Sequence, residues 1–185
     1  MIDLCAAPGS WSQVLSKSLP SDAKIVSVDL QPMAPLPGVT QIIGDITTLE
    51  TSQAVREALG GVKANLIVCD GAPDVTGLHS LDEFLQSQLL GSALTITLQL
   101  LEKGGIFIAK ILCRRTETSS MGQDTSSLLV AQLQTYFDQV DVVKPRSSRA
   151  SSAEHFIVCR GFFAHSTLPS PFAIQGDIST IDPLN

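Results

Sequence analysis

The chain is short of aromatic and of basic residues, and each shortage narrows what it can be. Aromatic residues make up 5% of it, with one Trp and one Tyr. Against 18 Asp and Glu stand 12 Lys and Arg, a net charge of −6. That is a poor footprint for binding nucleic acid by charge alone, so any RNA function has to rest on a local basic patch, a partner, or residues outside this chain. No apolar run reaches the roughly 20 residues needed to cross a bilayer, and no signal peptide opens the chain, so no membrane partner is expected. The cysteines Cys5, Cys69, Cys113 and Cys159 are scattered singly, without CxxC and without His at ligand spacing. This argues against a metal site or a disulfide framework, and for reduced thiols in a cytoplasmic protein. The G-x-G-x-x-G fingerprint of dinucleotide-binding folds is missing as well.

What the chain does have is apolar sequence cut into short pieces. A hydrophobic fraction of 44% and a mean hydropathy of +0.25 suit parallel strands buried on both faces. At 185 residues the length is that of one domain. Strands are expected at the chain start, at 24–29, 39–44, 64–70 and 106–111, then at 140–143 and 155–159. Helices are expected at 12–18, with Ser10 as N-cap, at 52–59, at about 81–101 with Gly104-Gly105 as its stop, and at 125–137. Strands alternating with helices imply an α/β fold with a doubly wound, mostly parallel sheet of seven strands. The last two strands have no helix between them, so they should form an antiparallel hairpin at the C-terminal edge. That ending is of methyltransferase rather than dehydrogenase type. Residues 1–164 are read as the domain and 165–185, with Pro169, Pro171 and Pro183, as an irregular tail.

The first strand runs into Ala6-Ala7-Pro8-Gly9-Ser10-Trp11, a turn of small residues that lets a ligand approach the backbone closely. In an α/β sheet the ligand crevice lies at the carboxyl ends of the strands. Three further strands end there in acids, Asp29, Asp45 and Asp70. Asp29 is placed to accept the hydroxyls of a ribose, Asp45 to sit beside an adenine, and Asp70 to face the reacting end of a nucleoside cofactor. Each alone also reads as a loop or capping Asp; three at equivalent strand ends are harder to explain that way. Trp11 is open to two readings, a core side chain or a cofactor contact. Lys110 interrupts an apolar strand, where an unpaired ammonium is expensive. It is either a lysine snorkelling from the strand end or an amine tuned by burial and neighbouring charge into a general base. Glu154, at the start of the last strand, would face the same crevice, so that Asp70, Lys110 and Glu154 converge.

These residues carry a resemblance. Asp3-Leu4-Cys5-Ala6-Ala7-Pro8-Gly9-Ser10-Trp11-Ser12-Gln13 resembles the cofactor motif of FtsJ-like ribose 2′-O-methyltransferases. Asp70-Gly71-Ala72-Pro73-Asp74-Val75-Thr76-Gly77-Leu78-His79 and Lys144-Pro145-Arg146-Ser147-Ser148-Arg149 are similar to the eukaryotic branch that acts on the tRNA anticodon loop. The match covers residues 1 to about 162. The resemblance implies a Rossmann-like fold, S-adenosylmethionine as cofactor, no metal, and tRNA as substrate. It also implies an auxiliary WD-repeat or helical-repeat protein as partner. Carried over residue by residue, Gly9, Trp11, Asp29, Asp45 and Asp70 match the family's cofactor contacts. Asp70, Lys110 and Glu154 match the last three members of its Lys-Asp-Lys-Glu tetrad. Lys110 would deprotonate the 2′-hydroxyl, with Asp70 and Glu154 orienting it.

Two departures accompany the resemblance. The family carries a basic segment with the first tetrad Lys ahead of its first strand, and this chain, with no counterpart to it, is expected to be N-terminally truncated. After Lys110 the chain reads Ile111-Leu112-Cys113-Arg114-Arg115 where the family has Ile-Phe-Arg-Gly-Arg-Asp, followed by an apparent insertion. Two other readings therefore stand beside tRNA methylation: a catalytically weak paralogue that binds cofactor or a protein partner, and a methyltransferase of ribosomal RNA or mRNA caps.

Overall fold

Short β-branched and aliphatic runs at the start of the chain have nowhere to bury both faces except inside a sheet, and that is where they lie. A computed structural model of the chain describes residues 1–73, 79–112, 125–149 and 152–163. Among these, β1 (Ile2–Leu4), β2 (Ile25–Asp29) and β4 (Ala64–Cys69) hold the middle of the sheet, with β3 (Val39–Ile43) at one edge and β5 (Leu101–Leu112), β6 (Phe137–Val143) and β7 (Glu154–Phe162) on the other side. The seven strands run in the order β3-β2-β1-β4-β5-β7-β6. The first five are parallel, and β7 is antiparallel to both β5 and β6. The expected seven-stranded α/β sheet with an antiparallel C-terminal hairpin is thus the observed one.

Between the strands run α1 (Ser10–Ser18), α2 (Leu49–Ala58), α3 (His79–Leu100) and α4 (Thr125–Leu133). They pack on β2, on β2 and β3, on β4 and β5, and on β6, respectively. Ile2, Leu4, Val26, Val28, Ile67 and Phe107 are at most 1% exposed. Burial on both faces is the reason that these strands read as continuous apolar runs. Phe107 also stacks on Phe137, with ring centroids 6.4 Å apart. The described thiols are reduced: Cys69 and Cys159 lie inside strands and Cys5 just past β1. Among the described residues, no helix is long and apolar enough to cross a membrane.

Several boundaries differ from expectation, each for a local reason. Helix α1 starts at Ser10 itself, because Gly9 in the left-handed region (φ 104°) is the N-cap and no side chain caps the end. Helix α2 starts three residues early, where the Thr48 side chain accepts the Thr51 N–H. Gly104-Gly105 does not stop α3, which ends at Leu100 and passes directly into β5. The ladder pairs Ala64 with Leu101 and then Leu66 with Ile106, so residues 102–105 bulge out opposite Asn65. Gly104 takes φ 79° there, and a Cβ on Gly105 would meet the Glu102 carbonyl oxygen at 2.8 Å. The two glycines serve a bulge. Strands β6 and β7 extend three or more residues beyond the expected ends because each pairs along the other. The expected tail at 165–185, Cys113 and the segment after it lie outside the described residues.

The stacked aromatic pair sets a stability prediction. Phe107→Ala should lower the unfolding free energy by about 3–5 kcal/mol, read as a lower denaturant midpoint with the sheet's circular-dichroism signature kept.

Candidate functional site

The carboxyl ends of β1, β2 and β4 lie side by side because the three strands are parallel and in register. Leu4 pairs with Val28 on one side and with Cys69 on the other. Cys5, Asp29 and Asp70 therefore emerge one residue further along, in a row. Cys5 has φ 57°, a positive value for a non-glycine residue, and the Ala7–Pro8 peptide is cis. The turn that follows is tied to β2 twice: the Ala6 N–H donates to the Val28 carbonyl at 3.0 Å, and the Ala7 N–H to Asp29 Oδ2 at 2.9 Å. The other Asp29 oxygen accepts the Gln31 N–H at 2.9 Å. Gly9 lies under the loop after β2, where a Cβ would touch Leu36 Cδ1 at 3.4 Å and Met33 Sδ at 3.7 Å. Asp45 lies two residues beyond β3 and accepts the Thr47 N–H at 2.9 Å.

Lys110 is not a snorkelling lysine. Its Nζ lies 3.2 Å from Asp70 Oδ1, and its side chain is 14% exposed. On β5 it pairs with Phe156 of β7, while Leu112 pairs with Glu154. Directly paired residues share a face, so Lys110 and Glu154 are diagonal neighbours roughly 7–8 Å apart. Glu154 forms no ion pair among the described residues. The Trp11 ring covers the same face, with its centroid 5.5 Å from that of Phe156. The structure therefore brings Asp70 and Lys110 into contact, sets Glu154 on the same face at a distance, and packs Trp11 beside them. Asp29, Gly9 and Asp45 line the neighbouring strand ends. The Lys144–Arg149 loop follows β6, and the Lys144 ammonium donates to the Ser152 carbonyl oxygen.

Three groups at this end escaped the sequence reading. Asp3, on β1, is fully buried. Its Oδ2 accepts from Ser12 Oγ at 2.5 Å, and that hydroxyl also lies 2.6 Å from Ser27 Oγ, while Oδ1 has no partner among the described residues. The argument applied to Lys110, a charge inside an apolar strand, singles out Asp3 equally well. Gln86, on α3, is 7% exposed and donates to the Lys110 carbonyl oxygen at 3.0 Å; its place at core spacing with Leu89, Leu90 and Ala93 was the available signal. The Cys5 and Cys69 thiols share a hydrogen bond, which together with burial pushes the Cys5 thiol up and keeps it inert. Among the described residues, no group of three or more His, Cys, Asp or Glu is placed to hold a metal ion.

Burial pushes the Asp3 carboxyl up to about 6, against the Ser12 hydrogen bond, with the Asp70 and Asp29 charges adding to the rise. A carboxyl raised on folding binds its proton more tightly folded than unfolded. The contribution of Asp3 to stability is therefore most favourable below the ordinary value of 3.8 and declines as pH rises towards 6. At about 1.4 kcal/mol per tenfold change in proton affinity, the loss is on the order of 3 kcal/mol. Asp3→Asn should flatten this slope, checked by denaturation between pH 4 and 7.

Residues 1–162 match the model of the FtsJ-like methyltransferase family. The human tRNA (cytidine(32)/guanosine(34)-2'-O)-methyltransferase is 53% identical over 163 residues, which cover 87% of this chain and 47% of that protein. The protein of the same name from Schizosaccharomyces pombe is 46% identical over 197 residues, covering 100% of this chain and 65% of that one. A crystal structure of a ribosomal RNA methyltransferase from Plasmodium falciparum superimposes with a TM-score of 0.72 at 26% identity, over 87% of this chain and 85% of that one. The chain spans about half the length of the curated relatives it matches.

Proposed function

The chain belongs to the FtsJ-like methyltransferase family, and on that footing we propose that it methylates a ribose 2′-hydroxyl in the anticodon loop of tRNA. The single observation that carries the chemistry is the Asp70–Lys110 pair at 3.2 Å, held at the ligand end of two adjacent parallel strands. The substrate class is supported by the relatives at about half identity, whose names give a tRNA 2′-O-methyltransferase. A 2′-hydroxyl is also the group that separates RNA from DNA.

The residues fit S-adenosylmethionine as methyl donor. Each Asp29 oxygen accepts one backbone N–H, which leaves further lone pairs for a ribose diol. Gly9 takes a conformation that favours glycine, and a side chain there would press on Leu36 and Met33, so the turn keeps the close backbone approach that a ligand at this strand end requires. Asp45 Oδ1 is anchored by Thr47, and Oδ2 is left for a base edge. When bound, the donor supplies an electrophilic methyl group on a sulfonium, which needs no metal to leave.

Once the Lys110 ammonium has released its own proton to solvent, the neutral Nζ takes the proton of the 2′-hydroxyl as the oxygen attacks and the thioether leaves. Asp70 fixes the position of that nitrogen through the ion pair, and the Gln86 side chain steadies the backbone beneath it. Glu154, diagonal to Lys110 on β7, balances charge on the same face. Trp11, packed on Phe156, closes the side of the site next to the turn. Much of the rate would come from alignment, since an in-line displacement demands oxygen and methyl in one geometry. We propose further that site choice on tRNA uses an auxiliary WD-repeat or helical-repeat protein, in keeping with a net charge of −6, and that the protein works in the cytoplasm.

A ribosomal RNA substrate is the second reading, favoured by the likeness to the Plasmodium falciparum protein, which is named for ribosomal RNA. Tritiated-methyl transfer to anticodon stem-loops and to ribosomal RNA fragments decides between them. With the preferred RNA, Lys110→Ala should lower turnover by roughly 10²–10⁴-fold while calorimetric affinity for the methyl donor changes little. Asp29→Ala should show the reverse, with donor affinity falling first. Unchanged turnover in Lys110→Ala would remove lysine from the role of base.

A further inference from the structure

The loop between β6 and β7 takes no part in the methyl-transfer chemistry, yet it opens at the same end of the sheet. Strands β5 and β6 are both antiparallel to β7, so β6 finishes where the parallel strands finish. Val143 and Lys110 pair with the same residue, Phe156, from opposite sides. Two strand spacings of about 4.8 Å put the last residue of β6 roughly 10 Å from Lys110, and the loop starts at the next residue. Its charge is unlike that of the chain as a whole. Lys144, Arg146 and Arg149 gather three of the 12 Lys and Arg within six residues, and no Asp or Glu occurs between Asp141 and Glu154. Asp141 is itself taken up by Arg160 at 2.7 Å. Arg146 and Arg149 are exposed and form no ion pair among the described residues. The loop is also held in shape by its own bonds. The Ser148 N–H donates to the Pro145 carbonyl and the Ser152 N–H to that of Arg149, each at 3.0 Å. The Lys144 ammonium donates to the Ser152 carbonyl, and Ser152 Oγ accepts the Glu154 N–H at 3.1 Å. The lysine thus ties the two ends of the loop together, while both guanidinium groups are left to solvent.

With RNA as the proposed substrate, we infer that this loop is the docking surface for the RNA backbone. Arg146 and Arg149 each take a phosphate beside the target nucleotide, and Lys144 holds the loop in shape without touching the RNA. Repulsion gives the surface its place. Asp29, Asp45, Asp70 and Glu154 occupy the other strand ends, and a phosphodiester backbone is driven from carboxylates towards the cationic corner. A guanidinium meets a phosphate through a fork of N–H donors, and the exposed Ser147 adds a hydroxyl of the kind that serves such contacts. A loop already fixed by its own hydrogen bonds loses little freedom on binding. Phosphate contacts set register and orientation without reading sequence. Here they bring the RNA in from the β6 edge, so that one ribose reaches Lys110 while the β3 side stays with the methyl donor. A local cluster of this kind is how a chain of net charge −6 can hold a polyanion.

Fluorescence anisotropy of a labelled anticodon stem-loop with the full chain, over a series of salt concentrations, tests this beside calorimetry with S-adenosylmethionine. Arg146→Ala with Arg149→Ala should weaken RNA binding roughly tenfold or more and lower the slope of log affinity against log salt by about 1.4, at about 0.7 for each phosphate of a single strand. Donor affinity should stay unchanged. Arg146→Lys with Arg149→Lys should keep most of the slope, since the charge is kept. Lys144→Gln should leave the slope as it is, and a slope lowered as far as in the double alanine variant overturns the strut. RNA affinity and slope that survive the double alanine change overturn the docking surface and hand the loop to an acidic protein surface. Donor affinity lost together with RNA affinity overturns it too, because the loop would then shape the site rather than dock the RNA. Methyl transfer by the unaltered chain is read separately: transfer to RNA keeps the proposed function even where the docking surface fails, and transfer to no RNA removes both.

Discussion

The strand Ile2–Leu4 is three residues long, fully buried and hydrogen-bonded along both edges, and the ligand end of the molecule inherits its position from it. Parallel pairing on both sides brings the turn at Ala6–Gly9, the carboxylate of Asp29 and the carboxylate of Asp70 to one level. A slip of one residue against either neighbour would turn Asp3 towards the layer that now holds Ile2 and Leu4, and burial on both faces forbids that. Register here is therefore specified by hydrophobic burial. The polar site is a consequence of where the apolar strands stop.

That arrangement carries local costs, and they fall on few residues. Among the described residues, Asp3 buries a carboxyl that has one hydroxyl partner and an oxygen with none. Cys5, two residues on, holds a left-handed backbone without being glycine. Neither is explained by stability. Both sit directly behind the turn, and Ser12 ties the carboxyl to the first turn of α1 and to Ser27 of β2. Strain and unsatisfied groups gather where geometry is held for a ligand, and the surrounding core of fully buried Ile, Val and Phe is what offsets them.

How far the sequence could be read follows from the same physics. Strands buried on both faces announce themselves as apolar runs, so the alternation of elements and the acids at their ends were legible. The Asp70–Lys110 contact was legible in kind, because a lysine inside an apolar strand demands a partner, and Asp70 was the acid one strand over. The diagonal offset of Glu154 was not, since register between β5 and β7 depends on long-range pairing that local sequence does not encode. Gly104-Gly105 misled because a glycine pair after a helix pattern serves a cap and a bulge equally well. Asp3 was passed over as part of a motif, although its isolation among Ile2 and Leu4 carried the same signal as Lys110.

The two halves of the proposed site are built on different mechanical principles, and one aromatic contact joins them. The cofactor half rests on backbone: the Ala6 and Ala7 N–H groups fasten the turn to β2. The catalytic half rests on side chains of β4, β5 and β7, where Lys110 opposes Phe156. Trp11 leaves the first turn of α1 and packs on that same Phe156. Aromatic pairs of this kind contribute about 0.5–1.5 kcal/mol beyond the area they bury, about the net worth of one hydrogen bond, whereas the strand ladders on either side hold several. The joint is thus the softer link between two firm supports. Movement of α1 relative to β7 would be felt at Lys110 through the ring beside it, before either strand ladder was disturbed.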